Sequence, residues 1–128
     1  MKKYKKTFGQ MLEKNIKDSL ILAGVPVESS PDLDHNHKID FIVKIGMQFV
    51  GIQTSLKKDR IKAKSAKICA LDRVARFIYL NLSDDFFHQA NKHYGIQLYY
   101  LLCYIIHRYN KKAIWITIDM KGWRVQEI

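Results

Sequence analysis

Proline and cysteine are scarce in this sequence, with two of each in 128 residues, and glycine reaches only six. No proline-, glycine- or serine-rich stretch marks a linker or a low-complexity tail, and no internal repeat is visible, so a single folded domain over residues 1–128 is expected. The two cysteines, Cys69 and Cys103, lack a CxxC spacing and sit in apolar runs. Neither a zinc site nor a disulfide framework is indicated, and a reducing compartment fits. Long apolar runs are missing too. The most apolar segment, Ile96 to Ile106, contains Gln97 and is about half of the roughly 20 residues that span a bilayer, so no membrane association is expected. The basic start, Met1-Lys2-Lys3-Tyr4-Lys5-Lys6, is not followed by the apolar stretch of a signal peptide, and the expected location is the cytoplasm.

Acidic residues are the other shortage. Asp and Glu number 12 against 22 Lys and Arg, for a formal net charge of +10. Such a surplus favours polyanionic partners, because lysines that neutralise phosphates release counterions. DNA or RNA is therefore the leading partner, and a lysine-rich surface that only maintains solubility is the alternative.

The periodicities predict an α/β domain. From Thr7 to Ala23, Phe8, Leu12, Ile16, Leu20 and Ala23 recur at helical spacing, with Gly24 as a stop. Val25-Pro26-Val27 reads as a short strand, and Ser29-Ser30-Pro31-Asp32 as a turn. Ile39, Phe41, Val43 and Ile45 alternate up to Gly46, and Gln48 to Thr54 follows, which together read as a β-hairpin. Lys57 to Arg76 has neither proline nor glycine and predicts a second helix with a positive outer face. Phe77 to Leu82 reads as a buried strand, followed by a helical region that Gly95 interrupts. The aromatic-rich Tyr94 to Tyr109 could offer stacking surfaces, but its apolar content reads more strongly as core or as the interface of a homodimer. Ala113 to Ile118 reads as a strand and Trp123 to Val125 as an edge strand. Alternation of this kind implies a mixed central sheet flanked by helices.

The chemistry concentrates around the hairpin. Asp40 stands between Ile39 and Phe41 in a β-run, where an unpartnered carboxylate is costly to bury. The run Lys38-Ile39-Asp40-Phe41-Ile42-Val43, a glycine turn and then Gly51-Ile52-Gln53 resembles the PD-(D/E)xK, or restriction-endonuclease-like, nuclease superfamily from Thr7 to about Leu82. The resemblance implies an αβββαβ core and a metal-dependent phosphodiesterase. It places Glu13, Asp40 and Gln53 as ligands of Mg²⁺ or Mn²⁺, which take oxygen donors and activate a bound water. It also implies that Asp40 and Gln53 meet across facing strands.

The sequence departs from the family two residues after Gln53, where Ser55 replaces the lysine that orients the attacking water. Lys57, two residues further along, is the displaced candidate for that role. The catalytic candidates are thus Asp40, Gln53, Ser55 and Lys57. The basic run of Lys57, Lys58, Arg60, Lys62, Lys64 and Lys67 is a candidate phosphate-binding face. The same departure supports an alternative reading: a catalytically inactive nuclease-fold module that binds nucleic acid or a protein partner. Asp32 and Asp34, aspartates at alternate positions, resemble the start of an EF-hand loop, but His37 and Val43 occupy the positions of its glycine and glutamate. His35 and His37 could join the metal or approach the leaving group, but in a polar loop they read more simply as solvated residues.

Overall fold

The computed structural model describes residues 8–30, 39–56, 74–82, 89–119 and 121–126. Helix α1 spans Phe8–Leu22 and is followed by β1 (Val27–Glu28), β2 (Phe41–Ile45), β3 (Gln48–Ser55) and β4 (Arg76–Leu82). Helix α2 (Lys92–Arg108), β5 (Ala113–Asp119) and β6 (Gly122–Gln126) complete the described chain. The strands form one six-stranded sheet in sequence order. β1, β2 and β3 pair antiparallel, β3, β4 and β5 parallel, and β5 with β6 antiparallel. The class is α/β with a mixed sheet, as the alternating periodicities predict. No described helix is long and apolar enough to cross a membrane.

Helix α1 buries Leu12, Ile16, Ser19 and Leu20. It ends where the Val25 N–H reaches Leu20 O at 3.0 Å and the Gly24 N–H reaches Ile21 O at 2.9 Å. That pair of bonds needs a left-handed residue, which Gly24 supplies at φ 84°. The β2–β3 hairpin closes over Gly46 and Met47, since Ile45 pairs with Gln48. Gly46 lies at φ 59°, the sign that tight hairpin turns require at their first central residue.

The main core lies between the helices and one sheet face. Leu12, Ile16 and Leu20 of α1 and Leu98, Leu102 and Ile105 of α2 pack on Phe41, Val43, Val50, Ile52, Ile78, Leu80, Ile114 and Ile116. The opposite face carries a smaller cluster, Ile39, Ile42, Val74 and Phe77, and the pair Tyr79 and Trp115.

Three sequence expectations change. Gly95 does not interrupt a helix but lies inside α2, buried where the two helices touch. A Cβ on Gly95 would stand 2.0 Å from the carbonyl oxygen of Ser19, so the contact requires a residue without a side chain. The junction is completed by Asn91, whose N–H donates to Ser19 Oγ at 2.8 Å and whose Oδ1 caps the helix by accepting from the N–H groups of His93 and Tyr94.

Arg76, expected at the end of a helix, instead opens β4. Its guanidinium donates to Ile106 O at 3.1 Å, Lys111 O at 2.6 Å and Tyr109 O. A cation thereby satisfies carbonyls at the negative end of α2. Burial lowers its pKa from the ordinary value, and the group stays charged because arginine starts so high.

The segment Ile96 to Tyr109 is not uniformly core. Leu98, Leu102 and Ile105 are buried, whereas Tyr100 and Tyr104 are exposed. Of the cysteines, Cys103 is half-buried with a free thiol, and Cys69 lies outside the described residues.

Candidate functional site

Asp40 immediately precedes β2. Its N–H donates to Ile52 O at 2.9 Å, while its neighbour Phe41 is already the register partner of Ile52. Two residues of one strand therefore oppose one residue of the other, the arrangement of a β-bulge, which turns the side chains beyond it to new directions. The effect is visible at Ile39. Plain alternation would place it with Phe41 and Val43, yet it packs with Ile42 and Phe77 on the opposite face.

The bulge sends the Asp40 carboxylate to Thr54. Its Oδ2 accepts from the Thr54 N–H at 2.7 Å and from the Thr54 hydroxyl at 3.0 Å. A carboxylate that accepts an N–H at the end of a strand takes the place of a ladder bond, and it is charge-assisted. Asp40 thus binds the two strands of the hairpin together at the end where β3 closes.

Gln53 points elsewhere. In the parallel ladder Gln53 is level with Tyr79, Tyr79 with Trp115, Ser55 with Asn81, and Asn81 with Thr117. Residues level in a parallel pair share a face, so two rows run across the sheet on the side away from the helices. The first is Gln53, Tyr79 and Trp115, the second Ser55, Asn81 and Thr117. The Tyr79 and Trp115 rings meet edge to face, with centroids 5.8 Å apart. Asn81 Nδ2 donates to the Ser55 carbonyl at 3.1 Å.

The polar residues of this second face are nonetheless buried. Gln53 is 9% exposed, Asn81 4% and Thr117 3%, so each polar atom needs a protein partner or incurs a desolvation cost. Gln53 Oε1 and Thr117 Oγ1 have none among the described residues. The second row lies toward the carboxyl ends of β3, β4 and β5, the three mutually parallel strands, and ligands of open α/β sheets bind off such ends; the first row crosses the middle of β4 and β5. The polar rows are the candidate site, and Asp40 is bonded to Thr54 on the other side of the sheet. Reading the hairpin alone misses Tyr79, Asn81, Trp115 and Thr117, although a signal is present. Asn81 and Thr117 are the polar residues in otherwise apolar β-runs, each two positions after an aromatic residue.

The remaining expected residues are placed as follows. Ser55 is half-buried at the end of β3. Glu13 is half-buried on α1, which packs against the helix-side core rather than the face that carries Gln53. Lys57, Lys58, Arg60, Lys62, Lys64 and Lys67 lie outside the described residues, as do Asp32, Asp34, His35, Asn36 and His37. A divalent cation would find oxygen donors of the right kind in Asp40 and in the unpartnered amide oxygen of Gln53. Their arrangement does not fit one ion, because Asp40 is bonded to Thr54 on the helix side of the sheet and Gln53 projects from the opposite face. Among the described residues, no group of three or more His, Cys, Asp or Glu side chains is placed to hold a metal.

No protein-family model matches the chain, and no curated protein and no solved structure matches it.

Proposed function

We propose that the chain is a nucleic-acid-binding module on a restriction-endonuclease-like αβββαβ core, with a hydrolytic centre that has degenerated. Three observations support the nuclease-like frame: a first helix, three antiparallel strands, and a fourth strand parallel to the third. The net charge of +10 supports a polyanionic partner, with the lysines from Lys57 to Lys67 as its phosphate contacts. The observation that carries the loss of hydrolysis is the Asp40 carboxylate. It is engaged by Thr54, and Ser55 stands where the family's lysine would supply positive charge to the attacking water.

A second reading rests on the unpartnered Oε1 of Gln53, an oxygen donor buried beside the end of β3. On that reading the chain is a Mg²⁺- or Mn²⁺-dependent phosphodiesterase in which Glu13, Asp40 and Gln53 hold the ion. Lys57 or Ser55 would then lie beside the water, and the Asp40 to Thr54 bonds would have to open.

Labelled single- and double-stranded DNA and RNA, incubated with the full chain and Mg²⁺ or Mn²⁺, separate the two. Binding that weakens with salt and leaves the strands intact is the expected result. Cleavage that Asp40→Asn abolishes would establish the phosphodiesterase instead.

A further inference from the structure

Helix α2 has one side that its own fold does not use. Leu98, Leu102 and Ile105 face the core, while Tyr100 is 68% exposed and Tyr104 52%. The two tyrosines are one helical turn apart and therefore share a face. Trp123 of β6, 40% exposed, extends that face, with its ring centroid 5.7 Å from that of Tyr104. A surface helix ordinarily fills such positions with charged residues. The two rings meet edge to face at 66° rather than stacked flat on each other.

The charge around these rings is mostly positive, and the one described carboxylate of the β5–β6 turn, Asp119, is paired with Arg124 at 2.7 Å. From Phe86 to Ile118 the sequence contains no Asp or Glu. Lys92 opens α2 and Arg108 closes it, both exposed, and the exposed Lys121 lies two residues before Trp123. A second copy of the chain is a poor occupant. Whether two α2 helices packed parallel or antiparallel, a cationic end would meet a cationic end. An occupant with negative charge along its length and flat faces for the rings satisfies both features.

We infer that the Tyr100, Tyr104 and Trp123 face of α2 and β6 binds single-stranded nucleic acid, with bases stacked on the rings and phosphates near Lys92, Arg108 and Lys121. A duplex does not suit it, because its base faces are covered by their neighbours. The face lies across the sheet from Gln53, Asn81 and Thr117, so it is a separate surface from the candidate site. The inference rests on the nucleic-acid reading above and names the substrate class and the place where it binds.

The test is a titration of the full chain with a short fluorescent oligodeoxythymidylate, read by anisotropy and by tryptophan quenching. Tyr100→Ala, Tyr104→Ala and Trp123→Ala are each expected to weaken binding by roughly five- to 150-fold. Tyr100→Phe and Tyr104→Phe, which keep the ring, are expected to bind as the parent does. Lys92→Ala and Arg108→Ala are each expected to reduce the salt slope by about 0.7. Oligonucleotide binding that the three alanine variants leave unchanged would overturn this surface while leaving the nucleic-acid reading intact. Polyglutamate bound as tightly, with the same dependence on the rings, would overturn it in favour of an acidic protein. A dimer that Tyr104→Ala dissociates would overturn it in favour of a second copy. No binding of any nucleic acid would remove both this inference and the reading beneath it.

Discussion

Gly95 of α2 lies against the backbone of Ser19 on α1, so close that a Cβ would stand 2.0 Å from the Ser19 carbonyl oxygen. Ser19 is itself fully buried, donating to Asn15 O at 2.7 Å and accepting from the Asn91 N–H at 2.8 Å. The two helices are thus joined at one point by backbone proximity and a hydroxyl relay, and they share the apolar cluster of Leu12, Ile16, Leu20, Leu98, Leu102 and Ile105.

Gly95→Ala tests that junction. Alanine improves helix propensity by about 1 kcal/mol, but the clash is with main chain and cannot be relieved by a rotamer change. The expected net result is a destabilisation of about 2 kcal/mol, seen as a lower urea midpoint with an unchanged slope. A stability equal to or above that of the parent would show that α1 and α2 can separate at no cost.

Asp40 is expected to be a stability residue whatever its role with a ligand. Asp40→Ala removes two hydrogen bonds to Thr54, one from the N–H and one from the hydroxyl, and should cost about 1.5–3 kcal/mol. Asp40→Asn keeps an acceptor oxygen and should recover part of that loss. Chemical denaturation of the two variants measures the difference, and equal stabilities would mean that the carboxylate does not hold the hairpin. Asp40→Asn is for this reason the better control in any cleavage assay.

Arg76 should act locally on the end of α2. Arg76→Met removes three donors from the carbonyls of Ile106, Tyr109 and Lys111. Hydrogen exchange is expected to quicken first in the last turn of α2, with a global loss of about 3 kcal/mol. Arg76→Lys should restore less than half of it, since a point charge cannot span three acceptors. Uniform loss of protection across the domain would argue against a cap.

Thr117→Val addresses the unpartnered hydroxyl on the polar face. The residue is 3% exposed and its Oγ1 has no partner among the described residues, so the valine should stabilise the chain by about 1 kcal/mol. Thermal unfolding with and without nucleic acid is the measurement. A variant that is more stable but binds more weakly would place Thr117 in the ligand site; one that is less stable would show that the hydroxyl is satisfied.

Ser55→Lys separates a centre damaged at one position from one that has lost its geometry. With Asp40 engaged by Thr54 and Gln53 on the other face, no metal-dependent cleavage is expected to appear. A gain of cleavage that Asp40→Asn then removes would show that the site can rearrange to hold an ion and would favour the phosphodiesterase.

Much of the architecture was legible before the structure. The alternation through Phe41, Val43 and Ile45, the break at Gly46 and the stop at Gly24 are local signals, set by each residue's own backbone preferences and its near neighbours. They identify α1, the β2–β3 hairpin and the strands at Phe77 and Ala113 without reference to anything distant. The charge of +10 is likewise a property of composition alone. Other features depend on residues far apart in the chain. Gly95 reads as a helix break until Ser19, on another helix, is brought against it. Asp40 and Gln53 read as partners across a hairpin until one bulge at Ile52 turns the carboxylate to Thr54. Gln53, Asn81 and Thr117 form a buried polar face only because β3, β4 and β5 are set side by side in a particular register. Tyr100 and Tyr104 are apolar enough to be core, and only the packing of α2 through Leu98, Leu102 and Ile105 decides that they face outward. Sequence periodicity specifies which side chains share a face of one element; what that face meets is set by register and by contacts that close only when the chain is folded.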